Sequence, residues 1–334
     1  MKVKYLVFMI ILLPLVGWPQ VAPKKVGTVG AQFLELGIGA RPTAIGQAYV
    51  AVGKDASSIF WNPAGSANLS KLGVKNSLFL SYTDLFLDMQ HNAFAYATRT
   101  GFGTVGIFGV FFNSGEMLRT TTEQPEGIGT FAYSAYSVGV NYSKWLTDRF
   151  AFGLNVKLVA EDYGIEAPLG GGPVGISTIA IDMGTFYYTE LDSIILAMAI
   201  QHFAPDVRPT GKYWVDVEGV PTVEDIFRPY PFPVRFLFGV AFPIHLGSNG
   251  RLLASVEGRH TSDAGEQFNL GLEYNFRNFF FLRGGYRFNI DEGGLSFGVG
   301  FVPLLGKLRL GIDYSFVDWG RLPDVQRVST SIVF

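Results

Sequence analysis

Groups able to do covalent or metal chemistry are sparse in this sequence. His91, His202, His245 and His260 are the four histidines, and no two share the spacing of a metal-ligand pair. Cysteine is absent, which removes thiol nucleophiles, disulfides, lipoprotein acylation and Fe–S ligation. Gly101-Phe102-Gly103-Thr104-Val105-Gly106 has the spacing of a dinucleotide fingerprint. It falls between two strand candidates, with no helix to receive a phosphate. Gly170-Gly171-Gly172-Pro173 lacks the Lys-Ser/Thr of a phosphate loop. An activated nucleophile needs a base within hydrogen-bond reach, and no Ser–His–acid set is visible. A hydrolase at the barrel rim, built on His202 or His260, is the weakest reading. The chain reads as no enzyme, with no cofactor and no metal. A net charge of −2 gives no basic footprint for nucleic acid.

The remaining charged and aromatic groups point to holding and binding. Lys157, Glu161, Glu257, Arg259, Glu273, Arg283, Arg287, Arg309 and Asp313 share the polar face of their segments. Arg or Lys in hydrocarbon costs about 2–4 kcal/mol at mid-membrane, so these side chains belong in a lumen. Both signs are mixed, which favours ion pairs bracing an internal plug over a polar conduit. A long loop, 203–232, carries Phe203, Tyr213, Trp214, Phe227, Tyr230 and Phe232 among prolines. Aromatics there suit a partner or a hydrophobic ligand, or a loop folded over the mouth. Leu85, Phe86 and Leu87, in the segment 82–89, are expected to join them in a groove.

What positions these groups is period-2 alternation. Tyr136, Val138, Val140 and Tyr142 alternate with Ser137, Gly139, Asn141 and Ser143. Leu308, Leu310, Ile312, Tyr314 and Phe316 alternate with Arg309, Gly311, Asp313 and Ser315. One face is apolar and often aromatic; the other is small or charged, as a transmembrane barrel requires. Fourteen such segments run at 75–81, 90–99, 101–112, 133–145, 150–162, 177–189, 194–202, 233–243, 251–260, 266–276, 279–289, 294–303, 308–316 and 325–334. Joins after the second, fourth, sixth and tenth are tight, while 113–132, 163–176 and 203–232 are long. That alternation separates periplasmic turns from extracellular loops.

Composition agrees. Charged residues are 16%, against about 25% in soluble domains. Phe numbers 30 and Gly 41, yet beyond the N-terminus no apolar run is long enough for a spanning helix. A bilayer admits only helices and closed barrels, because every backbone polar group needs an internal partner. Lys2 and Lys4 before the apolar run Tyr5 to Val16 read as an export signal over 1–22. The stretch 23–74 does not alternate. Asp55 is expected to cap a short helix over 56–61, Asn62-Pro63 to turn, and Gly65 to supply positive φ. This piece is expected to plug the lumen of a barrel formed by 75–334.

The same segment reads Phe33-Leu34-Glu35-Leu36-Gly37-Ile38-Gly39-Ala40-Arg41, then Ala44-Ile45-Gly46-Gln47-Ala48-Tyr49-Val50-Ala51, then Asp55-Ala56-Ser57-Ser58-Ile59-Phe60-Trp61-Asn62-Pro63-Ala64-Gly65. It resembles the N-terminal signature of the PorV/PorQ family, within the wider FadL-like group. Gln47, Lys54 and Ser66 depart from it, where that pattern often has Gly, Asp and Leu. The terminal Phe334, with Val328, Thr330 and Ile332 on its face, resembles the assembly signal of outer-membrane barrels. The resemblance implies an all-β fold: a 14-stranded antiparallel transmembrane β-barrel with an N-terminal luminal hatch, in which Asp55, Trp61, Asn62, Pro63, Ala64 and Gly65 form the hatch motif. It implies an outer-membrane location and a role in type IX-like secretion or surface attachment, with secretion components and secreted cargo as partners. The alternative is a FadL-like channel for long-chain fatty acids or other hydrophobic molecules. In either case outer-membrane lipid surrounds the wall.

Overall fold

A computed structural model describes residues 27–167, 172–191, 194–217, 220–247, 249–306 and 308–334. The expected export signal and Gly170-Gly171 lie outside the described residues. Fourteen strands form the wall. They are β1 (Asn76–Asp84), β2 (Gln90–Arg99), β3 (Thr104–Asn113), β4 (Ser134–Trp145), β5 (Phe150–Glu166), β6 (Pro173–Tyr188) and β7 (Ile195–Phe203), then β8 (Arg235–Leu246), β9 (Gly250–Thr261), β10 (Gln267–Phe276), β11 (Phe280–Phe288), β12 (Leu295–Phe301), β13 (Leu308–Val317) and β14 (Val325–Val333). Each pairs antiparallel with its sequence neighbours, and β1 closes on β14 from Ser77↔Val333 to Asp84↔Gln326. The wall therefore has no free edge, and its backbone groups are satisfied without water.

The facing follows the alternation. Tyr136, Val140, Tyr142, Leu272, Phe297, Ile312 and Tyr314 are exposed on the outside, while Ser137, Asn141, Glu273, Ser296, Asp313 and Ser315 are buried inside. An Ile312→Arg substitution is expected to destabilise the barrel by about 2–4 kcal/mol. Urea unfolding in lipid vesicles measures it; a change within error would mean that Ile312 does not face hydrocarbon.

Three features differ from the sequence reading. First, 163–166 and 173–176 are not loop: β5 and β6 run on past a bulge between Asp162 and Glu166 and pair as far as Glu166↔Pro173. The alternation breaks at that bulge, which hid the extension. Second, His202 is not a rim residue. It sits at φ 61 in a bulge of β7, opposite Asp182, so that Gln201 and His202 both turn inward and are buried. Third, the lumen face is not small or charged throughout. Phe79, Phe108, Val110 and Val159 point inward from β1, β3 and β5. They meet Phe33, Leu34, Ile38, Ile59 and Leu69 of the N-terminal segment. Phe60 packs edge-on to Phe108 at 5.7 Å between centroids. Burying each such side chain contributes about 1.5–3 kcal/mol, so this side of the lumen is a dry core.

The segment 27–75 fills the lumen with short pieces: 3₁₀ turns at Gln32–Glu35, Ala56–Phe60 and Pro63–Leu69, and one helical turn at Ala40–Ala44. Such pieces leave backbone carbonyls without intrasegment donors. Side chains from the wall supply them. Asn155 Nδ2 donates to the Ile59 carbonyl at 3.0 Å, and Gln201 Nε2 to those of Phe60 and Trp61 at 2.9 Å each. Trp145 Nε1 donates to the Ala67 carbonyl at 2.9 Å.

Candidate functional site

The motif around Asn62 is a hub of hydrogen bonds. Asp55 caps the turn Ala56–Phe60 by accepting from Ser57 N at 3.0 Å. The turn is 3₁₀ and ends at Phe60, one residue short of the sequence expectation. Trp61 Nε1 donates to the Ile38 carbonyl at 3.1 Å, and its ring lies 6.0 Å from that of Tyr49, edge to face. Asn62 Oδ1 accepts from Ala64 N at 3.0 Å, capping the next turn, whose first residue is Pro63. Proline suits that position because its missing N–H would have no partner there. Asn62 Nδ2 donates to the carbonyls of Val50, at 3.0 Å, and of Thr185 in the wall, at 2.9 Å.

Gly65 does not take positive φ, contrary to expectation; what it needs is space. A Cβ there would lie 2.6 Å from the Gly53 carbonyl oxygen. Two wall glycines make the complementary notches. A Cβ on Gly184 would fall 2.0 Å from Asn62 Oδ1, and one on Gly153 would fall 2.3 Å from Ala64 N. Glycine on the inner face is thus the seat of Asn62-Pro63-Ala64.

The departures from the family pattern have structural reasons. Gln47 is left-handed at φ 63, a conformation glycine adopts freely and other residues at a cost of roughly 1–2 kcal/mol. Its side chain offsets this by accepting from Arg259 Nη1 at 2.9 Å. Ser66, where an apolar residue is usual, bonds with Ser143 Oγ at 2.7 Å and Asn141 Oδ1 at 2.8 Å. Lys54 faces a chamber at the periplasmic end of the lumen.

The charged side of the lumen is layered. Towards the periplasm, Glu273 receives Arg41 through Nε at 2.7 Å and Nη2 at 2.8 Å, and Arg283 Nε at 2.7 Å. Arg283 Nη1 also reaches Asp313 at 2.7 Å. Burial alone would depress Arg41, but Glu273 outweighs it and lifts the guanidinium well above its ordinary range. Higher up, Glu257 Oε2 accepts from Tyr49 N and Val50 N at 3.0 Å each, while its other oxygen takes Arg259 Nη2 at 3.0 Å. On the opposite wall Lys157 Nζ meets both Asp182 oxygens at 2.6 and 2.8 Å. Glu161 accepts from the hydroxyls of Tyr133, Tyr163 and Tyr230. Arg287 is half-buried, and Arg309 is exposed at the periplasmic mouth.

Asp182 and Arg41 are site residues that sequence reasoning missed, as is Arg235, whose Nη2 donates to the Leu34 carbonyl at 3.2 Å and to Gln201 Oε1 at 3.0 Å. Alternation within 177–189 places Asp182 inward beside Ala180 and Gly184, so that one was findable. Arg41 was not, because nothing in the hatch sequence says which wall carboxylate it meets.

At the extracellular end lies a groove of about 520 Å³. Leu85, Phe86, Met89, Met117 and Trp319 line it from three loops, and Phe33 from the hatch. Phe86 and Trp319 pack edge to face at 5.8 Å. The 82–89 loop therefore does form a groove, but not with the aromatics of 203–232. Tyr213 and Phe227 pack on each other at 5.3 Å beside a separate hairpin, Lys212–Val217 with Val220–Ile226. The Trp214 side chain lies outside the described residues. Tyr230 bonds to Tyr163 and covers Gly30, while Phe232 is buried in the apolar cluster below. Tyr230 and Phe232 thus cover the mouth.

A closed barrel of fourteen strands with its N-terminal segment inside is an outer-membrane protein of FadL-like architecture. Solved structures similar to it include the Ralstonia pickettii toluene transporter TbuX (TM-score 0.54, 14% identity) and the Pseudomonas putida toluene transporter TodX (TM-score 0.57, 12% identity). Each alignment covers 89% of this chain and 97% of the other. The chain belongs to the PorV family, described as type IX secretion system protein PorV, whose model matches residues 20–226. Comparison with curated protein sequences gives no match.

Proposed function

We propose that this barrel serves type IX secretion by offering its extracellular groove to an apolar segment of a secreted protein or of a secretion partner. The observation that carries this is the position of the groove: Phe86, Met89, Met117 and Trp319 gather at the mouth directly above a lumen filled by the hatch. A filled lumen leaves the mouth, not the bore, as the surface that meets cargo. The hatch motif and the luminal ion pairs act in this reading as a seal and its bracing. Phe86→Asp and Trp319→Asp are each expected to cut co-purification of secreted cargo by about tenfold or more, the size of a lost aromatic anchor. Tyr213→Asp, in the separate hairpin, should leave it unchanged. Equal recovery of cargo with all three variants would sink the proposal.

A second reading rests on the fold shared with the toluene transporters. A groove of about 520 Å³ is within the size range of small-ligand sites, roughly 300–1,000 Å³. Apolar residues continue beneath it, through Phe33 and Phe112, towards Phe108. Against it, the ladder runs without a register shift from β1 through β5, and beyond that the pairing resumes past single bulges in β5–β6 and β6–β7. Uptake of a labelled fatty acid or monoaromatic compound that is unaltered by deleting the gene would remove this reading.

A further inference from the structure

The other end of the barrel carries a second surface, which the groove reading does not use. At the periplasmic mouth a chamber of about 330 Å³ opens below the hatch. Two further cavities adjoin it at the turns of β8–β9 and β10–β11; both are lined by Arg251 and Arg277, and one of them shares Arg309 with the chamber. Five cations, Arg41, Lys54, Arg251, Arg283 and Arg309, face the chamber, with three carboxylates. Those carboxylates are already engaged. Glu273 and Asp313 hold Arg41 and Arg283, and Asp55 caps its turn. Lys54, Arg251, Arg277 and Arg309 have no carboxylate partner among the described residues. The crowding is visible on Lys54, whose ammonium is pulled down to about 8 by burial first, then by Arg41, Arg251 and Lys71. Lys54 is also the position where the family pattern often has an acid.

We propose that this basic mouth docks an extended acidic peptide segment of a periplasmic protein. Three observations select that occupant. Arg251 and Arg309 sit on the inward-facing register, in line with Leu253 and Gly311, so the headgroups of the surrounding bilayer do not reach them. The three cavities adjoin at Arg251, and together they make a trough with more room than a compact ion fills. Between the cations the trough is lined by Phe281, Val302 and Leu253, with the amides of Asn275 and Asn278 at its rim. That mixture matches a strand whose alternate residues are acidic and apolar, with backbone groups left for the amides. The opposite rim carries the exposed acids Asp84, Asp162, Glu166 and Glu292, so the same peptide would be disfavoured there.

The test uses the full barrel in non-ionic detergent and a fluorescein-labelled peptide of alternating Glu and Val, read by anisotropy. Its Gln–Val counterpart and phosphatidylglycerol vesicles are the comparison probes. The acidic peptide is expected to bind saturably, to weaken with salt, and to bind at least about tenfold tighter than the Gln–Val form. The pair Arg251→Gln with Arg309→Gln should lose about tenfold or more, while Arg119→Gln at the opposite rim should lose nothing. Both arginines are exposed and pair with no carboxylate among the described residues, so the variant barrel keeps its wild-type heat-dependent gel shift, which is checked first. Equal binding of the two peptides overturns the proposal, as does wild-type affinity in the double variant. If the double variant loses vesicle binding but not peptide binding, the mouth recognises lipid phosphate instead.

Discussion

Glu273→Ala is expected to be among the most damaging single changes in the lumen, at about 3–5 kcal/mol. Its carboxylate is the only described acid that holds both Arg41 of the hatch and Arg283 of the wall, at side-chain exposures of 6%, 25% and 2%. Removing it strands two guanidiniums, Arg283 almost wholly buried and Arg41 three-quarters so, and Asp313 can answer only Arg283. The cost comes from charges left unpaired, so removing a cation together with the acid should hurt less. Arg41→Met with Glu273→Ala should therefore lose less than the sum of the two single variants. A surface pair supplies the scale. Arg149 and Glu190, exposed by 49% and 76%, join two periplasmic turns. Solvent screens such a pair, and Glu190→Ala should cost at most about 1 kcal/mol. Urea midpoints for folded and unfolded gel bands measure all four variants. If Glu273→Ala shifts the midpoint no further than Glu190→Ala, the network does not hold the hatch.

That contrast also shows what was legible in the sequence. All fourteen wall strands and most of their facing could be read, because lipid outside and a separate interior impose a period of two on each strand wherever no bulge intervenes. Closure was legible for a related reason: an apolar outer face cannot end in an open edge. The pairing inside was not. Glu273 and Arg283 are neighbours across the β10–β11 ladder, so register gives that contact. Arg41 reaches Glu273 across 232 residues of chain, and no local rule fixes that distance. Nor did the small inner residues disclose their purpose. Gly153 and Gly184 fall on the small inner face of their strands, but alternation does not say that they are recesses for hatch backbone. For the aromatics of 203–232 composition left two readings open, a binding loop or a loop folded over the mouth, and Tyr230 and Phe232 take the second. Burial of a loop residue depends on what lies beneath it, which alternation does not encode.

The seat of the hatch gives the second large effect. Gly184→Ala places a methyl group 2.0 Å from Asn62 Oδ1, far inside contact distance. Asn62 cannot retreat cheaply, because its amide is fixed by Val50 O, Thr185 O and Ala64 N. Either β6 bows outward or Asn62 leaves. Overpacking of this kind costs about 1–3 kcal/mol, and each lost hydrogen bond adds about 1 kcal/mol. A total of about 4 kcal/mol is therefore expected, with the hatch and not the wall giving way, since the wall is held by ladders on both edges. Two readouts separate these parts. Limited proteolysis should cut within 40–70 while the barrel band survives, and liposomes carrying the variant should swell faster in small sugars. Gly258→Ala is the control: its nearest neighbour would be 3.9 Å away, on the lipid-facing Phe268, and it should behave as wild type. Asn62→Ala removes the obstacle, so adding Gly184→Ala to it should cost little more than Asn62→Ala alone. If instead the two costs add in full, Gly184 acts on something other than Asn62, and the notch is not what seats the hatch.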